Sequence, residues 1–180
     1  MKQEDMTEFD KIKATIDDLE LGKVALFGFK PGGGKSTLLT NLIYNYVMQD
    51  GNNILHVTLE DLNPEYISKL QSYYHNLANI GGYGNVYFKE STPLTLKVDD
   101  LKQMILSVER VNGIKIDMVV LDYVDLLKRQ EYSDNEAKAG ESLFKDLVKL
   151  AQQTDTLIIT ATQLNRGANI KDVATLLRYE

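Results

Sequence analysis

Three consecutive glycines, Gly32, Gly33 and Gly34, run directly into Lys35, Ser36 and Thr37, and this stretch constrains the fold more than any other in the chain. A short apolar run, "KVALF" at 23–27, precedes it, and a helical pattern at 35–50 follows. Glycines let a loop turn so that several backbone N–H groups converge on one anion, and the dipole of the following helix adds to that attraction. A lysine placed like Lys35 reaches terminal phosphates, and a hydroxyl placed like Ser36 sits on Mg²⁺. Lys30, Pro31, Gly32, Gly33, Gly34, Lys35, Ser36 and Thr37 therefore read as a phosphate-binding loop. Its helix carries Leu38, Leu39, Leu42, Ile43, Tyr46 and Val47 along one stripe, with Gly51 as a stop.

One position departs from the usual pattern, G-x-x-x-x-G-K-S/T. Phe29 stands where the first glycine belongs, and Gly28 is one residue too early. A glycine-rich turn before any helix would share part of this composition. The order strand, loop, Gly-Lys-Ser, helix favours the nucleotide site.

The chain of 180 residues, 43% hydrophobic and 26% charged, suits one well-filled soluble core. It has no cysteine, which excludes a disulfide framework and thiolate metal sites and is compatible with a reducing cytoplasm. Residues 1–20 are charged and lack a signal-like apolar centre, and no run approaches membrane-spanning length. A net charge of −6 does not suit a basic nucleic-acid coat, so any contact with DNA must come through local loops.

Periodicity predicts a leading helix at 7–19, strands at 23–27, 53–60, 85–90, 115–127 and 156–163, and helices at 35–50, 63–80, 98–113 and 135–153. Asn63 and Pro64 open the third helix, Gly113 closes the fourth, and "GGYG" at 81–84 is a loop. Leu143, Phe144, Leu147, Val148 and Ala151 form the inner face of the helix at 135–153. A short helix is expected over 169–178. The division is a leading helical segment at 1–20, a core at 21–168 and a terminal helical segment at 169–180.

Strands alternating with helices predict an α/β fold, a doubly wound and mainly parallel sheet with helices on both faces. Such sheets bind ligands beyond the carboxyl ends of their strands. The phosphate loop, Glu60, Asp122 and Gln163 each end a strand and so fall on one edge.

Asp122 ends "MVVLD", where a carboxylate can serve Mg²⁺ through its water shell opposite Ser36, or be a helix-capping or loop aspartate. Asp125 competes for that part, but its neighbours place it beyond the strand. Glu60 ends "HVTLE" and can orient the water that attacks a γ-phosphate, although a carboxylate there also favours the next helix's start, a job Asp61 can fill. Gln163 can hydrogen-bond the γ-phosphate and change position on hydrolysis, or be a plain surface amide. Lys128, Arg129 and Arg166 follow these strands, where they are solvated charges or contacts to single-strand phosphates. His56 and His75 are isolated and read as structural or surface groups. Tyr73 and Tyr74 read as packing or helix-surface groups.

With these residues in hand, the chain resembles the RecA-fold motor domain of DnaB-like replicative helicases of bacteria and phages. "FKPGGGKST" resembles that family's A-R-P-x-x-G-K-S/T loop, whose first position is often a small residue; Phe29 is unusually large for it. "VTLED" resembles S-L-E, "VVLDYVDLL" resembles I-D-Y-L-x-L, and "TATQLNRGA" resembles S-Q-L-N-R. "YSDNEAKAGESLFKDLVKLAQQ" matches the S-D-N loop and helix between the last two. The likeness runs from about residue 20 to 168.

The resemblance implies a RecA-like P-loop NTPase with strand order 1-5-4-2-3, ATP and Mg²⁺ as cofactors, and Lys35, Glu60 and Gln163 as catalytic residues. Glu60 would be the base and Gln163 the phosphate sensor. Ser36 and Asp122 would hold the metal, and Asn165 and Arg166 would begin a DNA-facing loop. It also implies single-stranded DNA as partner, a homo-oligomeric hexameric ring, primase or other replication proteins, and a cytoplasmic setting in a bacterium or phage-infected host. Family motors continue past Q-L-N-R to further strands and an arginine finger. Here "NIKDVATLLRYE" follows with Arg178 in an expected helix, which reads as a truncated end.

A helicase motor core is thus the leading expectation. A recombinase-type filament ATPase and a nucleotide-binding loader or regulatory module stay open. "LDYVDLL" argues against the recombinase, which carries D-S after its fourth strand.

Overall fold

A computed structural model describes residues 7–60, 63–79, 84–129, 136–164 and 175–179. Helix α1 (Glu8–Asp17) starts at Thr7, whose hydroxyl accepts from the Asp10 N–H while the Asp10 carboxylate accepts from the Thr7 N–H. That reciprocal cap satisfies two otherwise orphan donors. Strand β1 (Val24–Phe29) then leads into α2 (Lys35–Met48), and β2 (Ile54–Thr58) into α3 (Pro64–Asn79). Strand β3 (Val86–Glu90) precedes α4 (Val98–Asn112), and β4 (Met118–Asp122) precedes α5 (Glu136–Thr154). Strands β5 (Leu157–Gln163) and β6 (Thr175–Tyr179) complete the sheet.

The sheet order is β3-β2-β4-β5-β1-β6, with every pair parallel except β1–β6. The expected order 1-5-4-2-3 therefore holds for the first five strands. Side chains alternate across the sheet with period two. Leu55, Val57, Val119, Leu121 and Ile158 accordingly meet α4 and α5 on one face, where Leu101, Ile105, Leu143 and Leu147 are buried. Ile54, Met118, Val120, Ile159 and Ala161 meet the other face, with Ile16 of α1, Leu39 and Ile43 of α2, and Leu70 and Tyr74 of α3. Fully burying a leucine or isoleucine contributes about 1.5–3 kcal/mol, so these two layers hold the sheet rigid under the strand ends.

Two expectations need correction. The apolar stretch at 115–127 is not one strand: β4 stops at Asp122 and a 3-10 turn follows at Val124–Leu126. Val124 and Leu127 are buried because the turn tucks under the sheet edge, which kept the pattern apolar beyond the strand. The expected terminal helix at 169–178, with Arg178 in it, is also overturned where it is described. Residues Thr175–Tyr179 form β6, and Arg178 pairs in register with Ala25 of β1. The free edge of β1 offers a ladder of backbone partners, and a five-residue stretch is too short for helical periodicity to prevail. Residues 169–174, like 81–83 of the expected loop, lie outside the described residues.

Candidate active site

The loop between β1 and α2 is built by its glycines. Gly34 caps α2 with φ +86°, in the left-handed region that a side chain would strain. The Gly33 N–H donates to the Lys30 carbonyl at 2.9 Å, closing the turn, and a Cβ on Gly33 would lie 2.9 Å from that same oxygen. The Leu38 N–H is the donor to the Gly34 carbonyl, so the N–H groups ahead of it remain available at the helix start. A cleft of about 350 Å³ opens over this loop, lined by Phe29 through Thr37 together with Glu60 and Gln163. Phe29, at the irregular position, is the last residue of β1 and is buried against the α1–α3 side of the core. It does not occupy the loop's turn.

Lys35 links the strand ends. Its Nζ donates to Glu60 Oε1 at 2.8 Å and to Asp122 Oδ1, and lies 4.3 Å from the Tyr123 ring centroid. The Asp122 side chain is 5% exposed and that of Glu60 30%, so Asp122 depends on this partner far more. A second cavity of about 360 Å³ adjoins the cleft and is lined by Ser36, Thr40, His56, Thr58, Glu60 and Asp122, among others. Ser36 and Glu60 border both spaces.

Beneath that cavity lies a histidine in the core. His56 Nδ1 is 2.8 Å from the Tyr74 hydroxyl, while His56 Nε2 and the Thr58 hydroxyl have no protein partner. Burial first, and the Lys35 charge second, push His56 down to about 3. Burial likewise pushes the Tyr74 phenol well up, opposed by its hydrogen bond with the Thr40 hydroxyl. His56 is thus the structural group the sequence suggested. His75 and Tyr73 are on the surface, Tyr73 stacked with Tyr44, and Tyr74 is packed inside.

The fold brings together the phosphate loop, Lys35, Ser36, Glu60, Asp122 and Gln163. Lys128 and Arg129 are exposed beyond the 3-10 turn and border neither space. Asn165 and Arg166 lie outside the described residues. Two contacts around the site were not read from the sequence, one at Tyr123 and one at Asp125, which was weighed there only for the metal. Tyr123 covers Lys35. Asp125, which had indeed left the strand, accepts hydrogen bonds from β5. Neither contact has a local signal, since the Asp125 partners are 37 and 38 residues away.

The residues present fit a magnesium nucleotide. A glycine-built loop and helix N-terminus suit polyphosphate, and one hydroxyl and one carboxylate beside it suit a hard cation that keeps several waters. Among the described residues no group of three or more His, Cys, Asp or Glu could hold a metal on its own, so the phosphates would have to complete the shell.

The model of the DnaB-like helicase C-terminal domain matches residues 6–174. This chain belongs to that family. Among relatives of the DnaB-like domain, the replicative DNA helicase DnaB of Haemophilus influenzae is 24% identical over 183 residues, covering 89% of this chain and 38% of its own length. DnaB of Pasteurella multocida is 23% identical over 186 residues with the same coverage. Among solved structures, a DnaB-like replicative helicase studied with its interactions with primase superposes at a TM-score of 0.62 and 19% identity, covering 86% of this chain and 42% of that one. A second solved structure, described as an ATPase domain, superposes at 0.59 and 18% identity, covering 82% and 59%. The fold of this DnaB-like domain is RecA-like. The chain spans 38% of the length of the curated relatives it matches.

Proposed function

We propose that this domain is the ATP-hydrolysing core of a replicative-helicase motor, coupling turnover to movement along single-stranded DNA. The observation that carries it is Lys35 held between Glu60 and Asp122 on the lip of a glycine-built phosphate cleft, with Gln163 on the same wall. Lys35 follows β1 through the phosphate loop, Glu60 lies just past β2, and Asp122 and Gln163 end β4 and β5, so one sheet edge assembles the set.

ATP enters over Lys30–Thr37, where backbone N–H groups and the α2 dipole hold the phosphates. Lys35 exchanges its carboxylate partners for phosphate oxygens, which frees Glu60 to accept a proton from the attacking water. Ser36 and Asp122 would hold Mg²⁺, which when bound would supply positive charge to the phosphate oxygens. Gln163 donates its amide to the γ-phosphate and registers its loss. Lys128 and Arg129 contact the DNA backbone, together with Asn165 and Arg166, as local basic positions on an acidic chain. A homo-oligomeric ring, with primase as a partner and the cytoplasm as setting, is the assembly in which this core works. Its relatives, replicative helicases and one studied with primase, support that reading.

The test is ATP hydrolysis with and without single-stranded DNA for wild type, Lys35→Ala and Glu60→Gln, with nucleotide binding measured in parallel. DNA-stimulated turnover is expected in wild type. Lys35→Ala should abolish it, and Glu60→Gln should cut it by about 10²–10⁴-fold while still binding ATP. Binding without any DNA-stimulated turnover in wild type would overturn the motor assignment for this chain.

A further inference from the structure

The end of β5 is held in an unusual way. Along this strand the odd-numbered N–H groups face β4, as Leu157 N–H to the Asp117 carbonyl shows, and the even-numbered ones face β1, as Ile158 N–H to the Lys23 carbonyl and Leu164 N–H to the Phe29 carbonyl show. The β4–β5 register ends at Leu121 and Thr160, so Gln163 reaches past the last residue of β4 with its N–H pointing at a strand that is no longer there. Asp125 fills that gap. Its Oδ2 accepts from the Gln163 N–H at 2.9 Å, and both its oxygens accept from the Thr162 hydroxyl, at 2.9 and 2.8 Å. The chain's geometry therefore replaces a missing ladder bond with a charged side chain.

The segment carrying Asp125 is itself pinned on its other side. The Leu94 N–H donates to the Leu126 carbonyl, and the Lys128 N–H donates to the Leu96 carbonyl, both at 2.8 Å. Leu127 between them is fully buried. Exposed Lys128 and Arg129 thus follow within four residues of Asp125, which grips the backbone of Gln163. Asp122, three residues before Asp125, holds Lys35 at the other end of the turn.

We propose that Asp125 is a positioning residue that sets Gln163 against the nucleotide's terminal phosphate and ties its position to the Lys128–Arg129 segment. The inference rests on the nucleotide and DNA roles proposed above. A shift of Gln163 on loss of the γ-phosphate pulls on Asp125 and through it on the segment bearing the two cations. By reciprocity, an anionic strand on those cations changes the preference of the cleft for triphosphate over diphosphate.

The experiment compares wild type with Asp125→Ala, Asp125→Asn and Thr162→Val. Asp125 is exposed, so the substitutions leave the core intact. Affinities for ATPγS and for ADP, each with Mg²⁺, give a preference ratio, and hydrolysis with and without single-stranded DNA gives a stimulation factor. Asp125→Ala should hold ADP affinity within about twofold, reduce the preference for ATPγS by about tenfold and bring DNA stimulation near unity. Asp125→Asn, which keeps one acceptor oxygen, and Thr162→Val, which removes only the hydroxyl, should fall between. Wild-type preference and stimulation in Asp125→Ala would overturn the proposal. So would an equal loss of affinity for both nucleotides, which marks a general support of the site. Absence of stimulation in wild type would sink the motor reading alone, and the preference ratio would still decide Asp125.

Discussion

Acidification should destabilise this protein in part through His56, and His56→Phe should remove that part of the sensitivity. The unfolded chain takes up a proton on this imidazole near its ordinary value of about 6.5, whereas the folded site refuses it until about 3. Between those values the unfolded state binds more protons, so stability falls as pH falls through that window and is fully present above it. From neutrality to about pH 4.5, roughly two pH units below the unfolded value, the loss is about 3 kcal/mol. Against a total of about 5–15 kcal/mol that is a large fraction. The groups facing the ring bear this out chemically. Tyr74 of α3 is a neutral phenol, Phe88 of β3 is apolar, and Lys35 of α2 opposes a second positive charge. Asp122 and Glu60 share the cavity with His56 but are paired with Lys35. Phenylalanine keeps the ring packing, removes the unpartnered Nε2 and costs Tyr74 one hydrogen bond, for a net change within about 1 kcal/mol at neutral pH. Urea unfolding of both proteins at neutral pH and at about pH 4.5 gives the difference of differences, in which the shared carboxylates cancel. If His56→Phe lost as much stability on acidification as wild type, the reasoning from burial would be refuted.

Lys35→Ala, measured without nucleotide, should cost about 3 kcal/mol by urea unfolding, because Asp122 is left buried without its cation. Adding Asp122→Asn should recover most of that loss, and a double variant no more stable than the single one would place the cost elsewhere. Gly84→Ala should destabilise by about 3 kcal/mol in the same assay, since its Cβ would sit 2.1 Å from the Asn52 carbonyl oxygen, a backbone atom that cannot swing aside. A wild-type unfolding midpoint would show that this approach is looser than the structure has it.

Much of this architecture is local and could be read in one dimension. Leu55, Val57 and Leu59 alternate with Ile54, His56 and Thr58, and burial on both faces follows from that pattern because strands with helices on each side have no wet face. The stripe of α2, the glycine loop and the carboxylates at the ends of β2 and β4 are likewise consecutive or near-consecutive residues. Their convergence needed only the rule that ligands gather at strand carboxyl ends. Spacing alone therefore assembled Lys35, Ser36, Glu60, Asp122 and Gln163 as candidates. Where an apolar run continued past its strand, as at Val124 and Leu127, the same reading overshot, because burial does not distinguish a strand from a turn folded beneath it.

The rest depended on partners remote along the chain. "TLLRY" at 175–179 is a strand because β1 presents an edge from near the other end of the chain, with Gly28 opposite Thr175 and Val24 opposite Tyr179. His56 became a proton-refusing group only when Tyr74 and Lys35 closed over it. Asp125 gained its place when β4 ended before β5 did. The sequence by itself determined periodicity, loop chemistry and which strand ends carry charge, because these arise from neighbouring residues and their intrinsic geometry. Only the tertiary structure decided the edge pairing, the buried histidine's environment and the grip of Asp125 on Gln163, because hydrogen-bond satisfaction and desolvation are set by whatever the folded chain brings alongside.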